Sequence, residues 1–139
     1  MSDPIESGDV TELNGPFTPE RTAAAARLAA DAIRYLNQAT AEPGGVGDAE
    51  DMWEVLGSLG VTVGRLRQTF DQLGRSLESD LATGLLRIGK GAPHADDPTG
   101  GVEAARWQLQ LASDTARELE LGLAEVQRII SGMSLEADE

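Results

Sequence analysis

The sequence predicts an all-α protein, an antiparallel up-down bundle of three principal helices. Two long segments repeat apolar residues at alternating spacings of three and four, the signature of one helix face. Apolar residues make up 40% of the chain but aromatics only 4%, and Ala and Leu, both strong helix formers, supply most of the difference. No segment shows the period of two that a half-buried strand requires.

Residues 1–17 are acidic and punctuated by Gly and Pro, so they read as a flexible acidic tail from which Leu13 and Phe17 dock. Helix 1 opens on Thr18 as N-cap, with Pro19 in the first turn and Glu20 beside the positive end of the dipole. Its apolar face is Ala25, Leu28, Ala32, Tyr35 and Ala39, widened by Ala29, Ile33 and Leu36. "EPGGVG" at 42–47 stops it. Asp48 then caps helix 2, whose stripe runs through Met52, Leu56, Leu59, Val63, Leu66, Phe70, Leu73 and Leu77. Extended through Leu81, Leu85 and Ile88, it reaches about 40 residues, or roughly 60 Å. A break near Gly57 to Gly60 would make four helices of three. Helix 3 follows Pro98 and Thr99 and carries Val102, Ala105, Leu109, Ala112, Ala116, Leu119, Leu123, Val126, Ile130 and Met133. The bundle domain therefore spans 18–133, followed by a second flexible acidic tail at 134–139.

Charge narrows the function. Seven of the thirteen net negative charges lie in the tails, on Asp3, Glu6, Asp9, Glu12, Glu136, Asp138 and Glu139, which leaves about −6 on the body. Such a surface disfavours direct binding to nucleic acid or anionic membranes, because phosphate contacts need clustered Lys or Arg. Without cysteine there are no disulfides and no thiolate metal sites. The N-terminus has no basic region leading an apolar stretch, and no run of 18 apolar residues occurs, so a soluble, cytoplasmic protein is expected.

Each motif with chemical potential has a plainer reading. "GLLRIGKG" at 84–91 matches three fixed positions of a phosphate-binding loop, but Gly91 replaces the hydroxyl that would ligate Mg²⁺. It also follows a helix where such a loop must follow a strand, so a helix C-terminus with left-handed Gly89 and Gly91 fits better. His94 with Asp96 and Asp97 is too small a set to hold a metal, and the two aspartates read as turn formers. With one His and no Cys, no nucleophile and base stand out. No catalytic, metal or cofactor-binding residue is assigned, and no cofactor is expected.

Gly57, Gly60 and Gly64 recur beside the stripe of helix 2, and each costs a helix interior about 1 kcal/mol relative to Ala. Close helix packing, with Ala-rich helix 1 as the neighbour, explains them more simply than a ligand groove. Helix 1 spans about 35 Å against 50 to 60 Å for its companions. The far half of the helix 2 and 3 hairpin therefore lacks a third layer, and a second copy, another protein or the N-terminal tail should cover it.

"RYLNQAT", "MWEVLGSLGVTVGRLRQTFDQL" and "DPTGGVEAARWQLQLA" together resemble a group of small, uncharacterised actinobacterial helical proteins often found near mobile elements, over about residues 20 to 130. The resemblance implies the helical fold and brings no activity or functional residue with it. The chain is not similar to small type VII secretion substrates, since Trp53 is followed by Glu54 and Val55 where their W-x-G turn needs glycine. The reading that follows is a non-catalytic protein-protein interaction module that forms a homodimer, with Trp107, Leu111, Leu77, Leu81 and Leu85 as interface anchors. The alternatives are an acidic decoy that occupies a nucleic-acid-binding protein, and a small-ligand binder or enzyme with a pocket beside Gly60 and Gly64.

Overall fold

The computed structural model describes residues 13–136, so the tail expectations at 1–12 and 137–139 lie outside the described residues. Among the described residues the chain is all-α, with three helices in the order α1 (Pro19–Ala41), α2 (Ala49–Ala82) and α3 (Pro98–Ile130), and no strand. It divides into two compact units, Met1–Gly47 and Asp48–Glu139.

In the first unit, α1 starts as its sequence dictates. The Thr18 hydroxyl accepts the Arg21 N–H at 3.2 Å and Pro19 enters the first turn. The helix ends at Glu42, whose backbone turns extended, and Gly44 and Gly47 follow in the left-handed region. No residue of α1 is buried, and Leu13 and Phe17 before it are exposed.

The second unit is an antiparallel hairpin of α2 and α3. Asp48 and Asp51 form a reciprocal cap: each carboxylate accepts the other's N–H, at 3.0 and 3.2 Å. The Asp51 backbone N–H is the main group holding the Asp48 carboxyl below its ordinary pKa. α2 then runs unbroken through Gly57 and Gly60 to Ala82, so no fourth helix forms.

It also stops earlier than its apolar pattern. Gly84 turns left-handed at φ +73°, while the Thr83 hydroxyl donates to the Asp80 carbonyl at 2.6 Å and accepts the Leu85 N–H at 3.1 Å. Leu85 and Ile88 thus belong to the connector and not to the helix: Leu85 is 77% exposed, whereas Ile88 folds back against Gly101 at the start of α3. Asp97 caps α3 by accepting the Gly100 N–H at 3.0 Å. Met133 falls beyond the last turn of α3.

The register of the hairpin follows from its cross-helix contacts. Gly57 faces Gln127, Gly64 faces Glu120, and Glu78 pairs with Arg106, so each advance of seven on α2 is matched by a retreat of seven on α3. Each apolar stripe resolves into two rows of seven-residue period, and only one row per helix enters the seam. On α2 that row is Leu56, Val63, Phe70 and Leu77; on α3 it is Val102, Leu109, Ala116, Leu123 and Ile130. Val63, Val102, Ala116 and Ile130 are the buried hydrophobic side chains.

The second row turned into the seam is small or polar except at Leu81. α2 offers Gly60, Arg67, Gly74 and Leu81, and α3 offers Arg106, Ser113, Glu120 and Gln127. Gly74 is buried, and a Cβ there would stand 3.1 Å from Arg106 Nε and 3.6 Å from a Leu109 methyl, so the arginine crosses α2 where a side chain is missing. Arg106 pairs with Glu78 and lies 3.9 Å from Asp71, and Arg67 meets Glu120 at 3.4 Å. These pairs are partly solvated and worth at most about 1 kcal/mol each, so they set register more than stability.

Gly60 differs from its neighbours, because nothing lies within 4 Å of the position its Cβ would take. Gly60→Ala is therefore expected to stabilise the hairpin by about 1 kcal/mol, through the lower backbone entropy of the unfolded chain. Thermal melts of both proteins at one fixed concentration would show it, and a fall in Tm would mean that the seam needs a glycine there.

Candidate interaction surface

The structure does not gather the five sequence-predicted anchors on one surface. Leu77 and Leu81 are half-buried in the seam, Leu85 stands in the connector, and Trp107 and Leu111 are exposed on α3 at positions outside its seam rows. Trp107 shares a period-seven row with Asp114, Leu121 and Arg128, on the side of α3 turned away from α2. Gly57 and Gly64 lie against Gln127 and Glu120, and the Gln127 amide donates to the Trp53 carbonyl at 2.9 Å. At these two glycines the neighbours are thus long polar side chains of α3. Two clefts of the hairpin unit lie at its ends, away from Gly60 and Gly64.

One end cleft, of about 420 Å³, is formed by Leu77, Leu86, Ile88, Pro93, His94 and Val102 where the connector crosses the hairpin. The other, of about 350 Å³, lies between Trp53, Ile130 and Met133. Among the described residues no three His, Asp or Glu side chains converge to hold a metal ion, and none of the helices is long and apolar enough to cross a membrane. In the 84–91 segment Gly84 and Gly91 are left-handed and Gly89 is not, and α3 does not begin until Pro98. The segment therefore lacks the helix N-terminus a phosphate loop needs.

The outer flank of the hairpin has a different character. The apolar row of each helix left out of the seam is Met52, Leu59, Leu66 and Leu73 on α2, and Ala105, Ala112, Leu119 and Val126 on α3. Leu66 is 41% exposed and Leu119 51%. The register sets these two rows along the same side of the seam, with Leu66 and Leu119 at one level. The rows beyond them are Val55, Thr62, Thr69 and Ser76, and Gln108, Thr115, Gly122 and Ile129.

Over these residues the four rows contain no charge. The Met52 row ends on Asp80 in the last turn of α2; every other Asp, Glu, Arg and Lys of α2 after Asp51, and every one of α3, falls elsewhere on the helix circumference, although a quarter of the chain is charged. The threonine hydroxyls add to the effect. Thr62 donates to the Ser58 carbonyl at 2.9 Å, Thr69 to Arg65 at 3.3 Å and Thr115 to Leu111 at 3.0 Å. With the hydroxyls turned onto their own backbones, these residues show outward mainly methyl groups. Ile129, 54% exposed, closes the strip at the open end of the hairpin.

Elsewhere on the hairpin several charges are paired. Asp71 meets Arg75 at 3.0 Å, and Arg128 grips Glu125 through two bonds at 2.6 and 3.0 Å, which lowers the Glu125 pKa and raises that of Arg128. Comparison with protein-family models, curated proteins and solved structures gives no match to this chain.

Proposed function

We propose that the protein is a non-catalytic helical interaction module that acts by docking helix against helix, and that it self-associates through the uncharged flank of its hairpin. The observation that carries this reading is the pairing of a thin core with a long open apolar strip. The hairpin buries Val63, Val102, Ala116 and Ile130 between its helices, while Leu66, Leu73, Leu119, Val126 and Ile129 stand in solvent on one side. Contiguous exposed apolar surface of this kind marks a protein contact. The expected site is cytoplasmic, and the expected partners are proteins and not nucleic acid.

The acidic decoy reading draws less support, because Asp71, Glu78, Glu120 and Glu125 are engaged by arginines of the same hairpin. A small-ligand or enzymatic role draws less support, because His94 lines one end cleft and Glu50 the other, and neither cleft brings an acid and a base together.

Salt separates these readings by sign. Two chains each carrying −13 repel one another, so an apolar homodimer should tighten as salt screens the repulsion, whereas docking of an acidic decoy onto a basic partner should weaken. Light scattering across a concentration series is expected to show a dimer whose Kd falls several-fold between about 0.05 and 0.5 M salt. A monomer at about 100 μM in both conditions would refute self-association through a strip of this size, which should dimerise well below that concentration.

A further inference from the structure

We infer that the occupant of the uncharged strip is a second copy of this chain, seated face to face and end for end about a two-fold axis at the level of Leu66 and Leu119, so that two hairpins make a four-helix bundle. The inference rests on the self-association proposed above and adds its geometry.

Width is the first argument. The strip runs over about 24 residues of each helix, roughly 36 Å, and spans two helices packed 8–10 Å apart, about 20 Å in all. Its area is on the order of 700 Å², close to the roughly 800 Å² per partner of a stable interface. A single helix lying in the groove would cover the inner rows and leave Val55, Thr62, Thr69 and Ile129 open. Those outer rows are as free of charge as the inner ones, so the cover they fit is two helices wide, as another hairpin is.

The second argument is the gradient of side-chain size. On α3 the strip is bulky toward the open end, with Leu119, Val126 and Ile129, and small toward the connector, with Ala105 and Ala112. Two copies related by an axis through the Leu66 and Leu119 level bring Val126 of one over Ala112 of the other, and Ile129 over the Ala105 and Gln108 region. On α3 large residues then meet small ones, as close packing requires. Like-ended stacking would instead set Val126 beside Leu59 and Ala112 beside Leu73.

The absence of cysteine makes the geometry directly testable in the full chain. Val126→Cys and Ala112→Cys proteins would each be oxidised alone and then as an equimolar mixture, alongside Leu119→Cys. The expected result is a disulfide dimer from the mixture and from Leu119→Cys, with at least a ten-fold lower yield from Val126→Cys or Ala112→Cys alone, because their own copies lie about 21 Å apart along the axis. Efficient homotypic cross-linking of Val126→Cys, or a mixture that cross-links no better than its components, would overturn the arrangement. Light scattering of the reduced variants keeps the two claims separate. Dimers that cross-link in the wrong pattern sink the geometry alone, whereas monomers of the unmodified protein sink the self-association beneath it.

Discussion

Replacing Leu66 with Glu is expected to leave a folded monomer, with the dimer weakened at least 100-fold in sedimentation equilibrium. In the isolated chain Leu66 is 41% exposed and outside the seam, so a carboxylate there remains hydrated and the hairpin should lose no more than about 0.5 kcal/mol. In the dimer the same position lies beside the two-fold axis. Two carboxylates would be brought together there among Leu66, Leu119 and their copies, out of water and without a cation, at a cost of several kcal/mol. The control is Trp107→Glu, on the face of α3 turned away from α2. If the strip is the contact, this change leaves the mass unaltered although it removes a larger apolar side chain, 64% exposed. A Trp107→Glu monomer beside a Leu66→Glu dimer would reverse the assignment and move the interface to the face where Trp107 and Leu111 lie.

How far the sequence leads can be seen at particular residues. The helix starts are legible because capping is local: Thr18 with Pro19, Asp48 with Asp51, and Asp97 with Pro98 each act within one turn. The end of α2 is not. Leu85 and Ile88 continue the apolar spacing past the true stop, since Ile88 is needed as an apolar residue in the connector, where it packs on Gly101. Periodicity reports that a residue is buried and not by which element, so the left-handed Gly84 and the Thr83 side chain decide where the helix ends.

The seam is a subtler case. A stripe with spacings of three and four contains two rows of period seven, and either flank of the leading row can complete the contact. Here the choice is made by pairs far apart in sequence, with Gly64 admitting Glu120 and Gly74 admitting Arg106. No local pattern on α2 alone contains that information. The same step turns Leu66 and Leu119 outward and creates the strip. Its outer rows are easily overlooked because threonine counts as polar in a sequence, yet their missing charges at period seven on both helices are a readable signal.

The thinness of the core gives Val102 an unusual share of the hairpin's stability. It is 4% exposed, the most buried of the core side chains, and stands at the start of α3, where it also lines the cleft closed by Leu86 and Ile88 of the connector. Val102→Asp would strand a charge there without a basic group of the seam assigned to it, since Arg106 is already held by Glu78 and Asp71. An unpaired buried carboxylate costs several kcal/mol, comparable with the whole stability of a small domain. The expected outcome is loss of most of the helical circular dichroism contributed by α2 and α3 at 25 °C, together with loss of the dimer, because the strip exists only while the two helices hold register. Leu85→Asp, four residues beyond Leu81 and on the same apolar spacing, should melt as the unmodified protein does, because the chain has already left the helix there and Leu85 stands in water. Equal damage from the two substitutions would mean that α2 continues past Gly84 and that Leu85 belongs to the seam, and the register on which the uncharged strip depends would have to be redrawn.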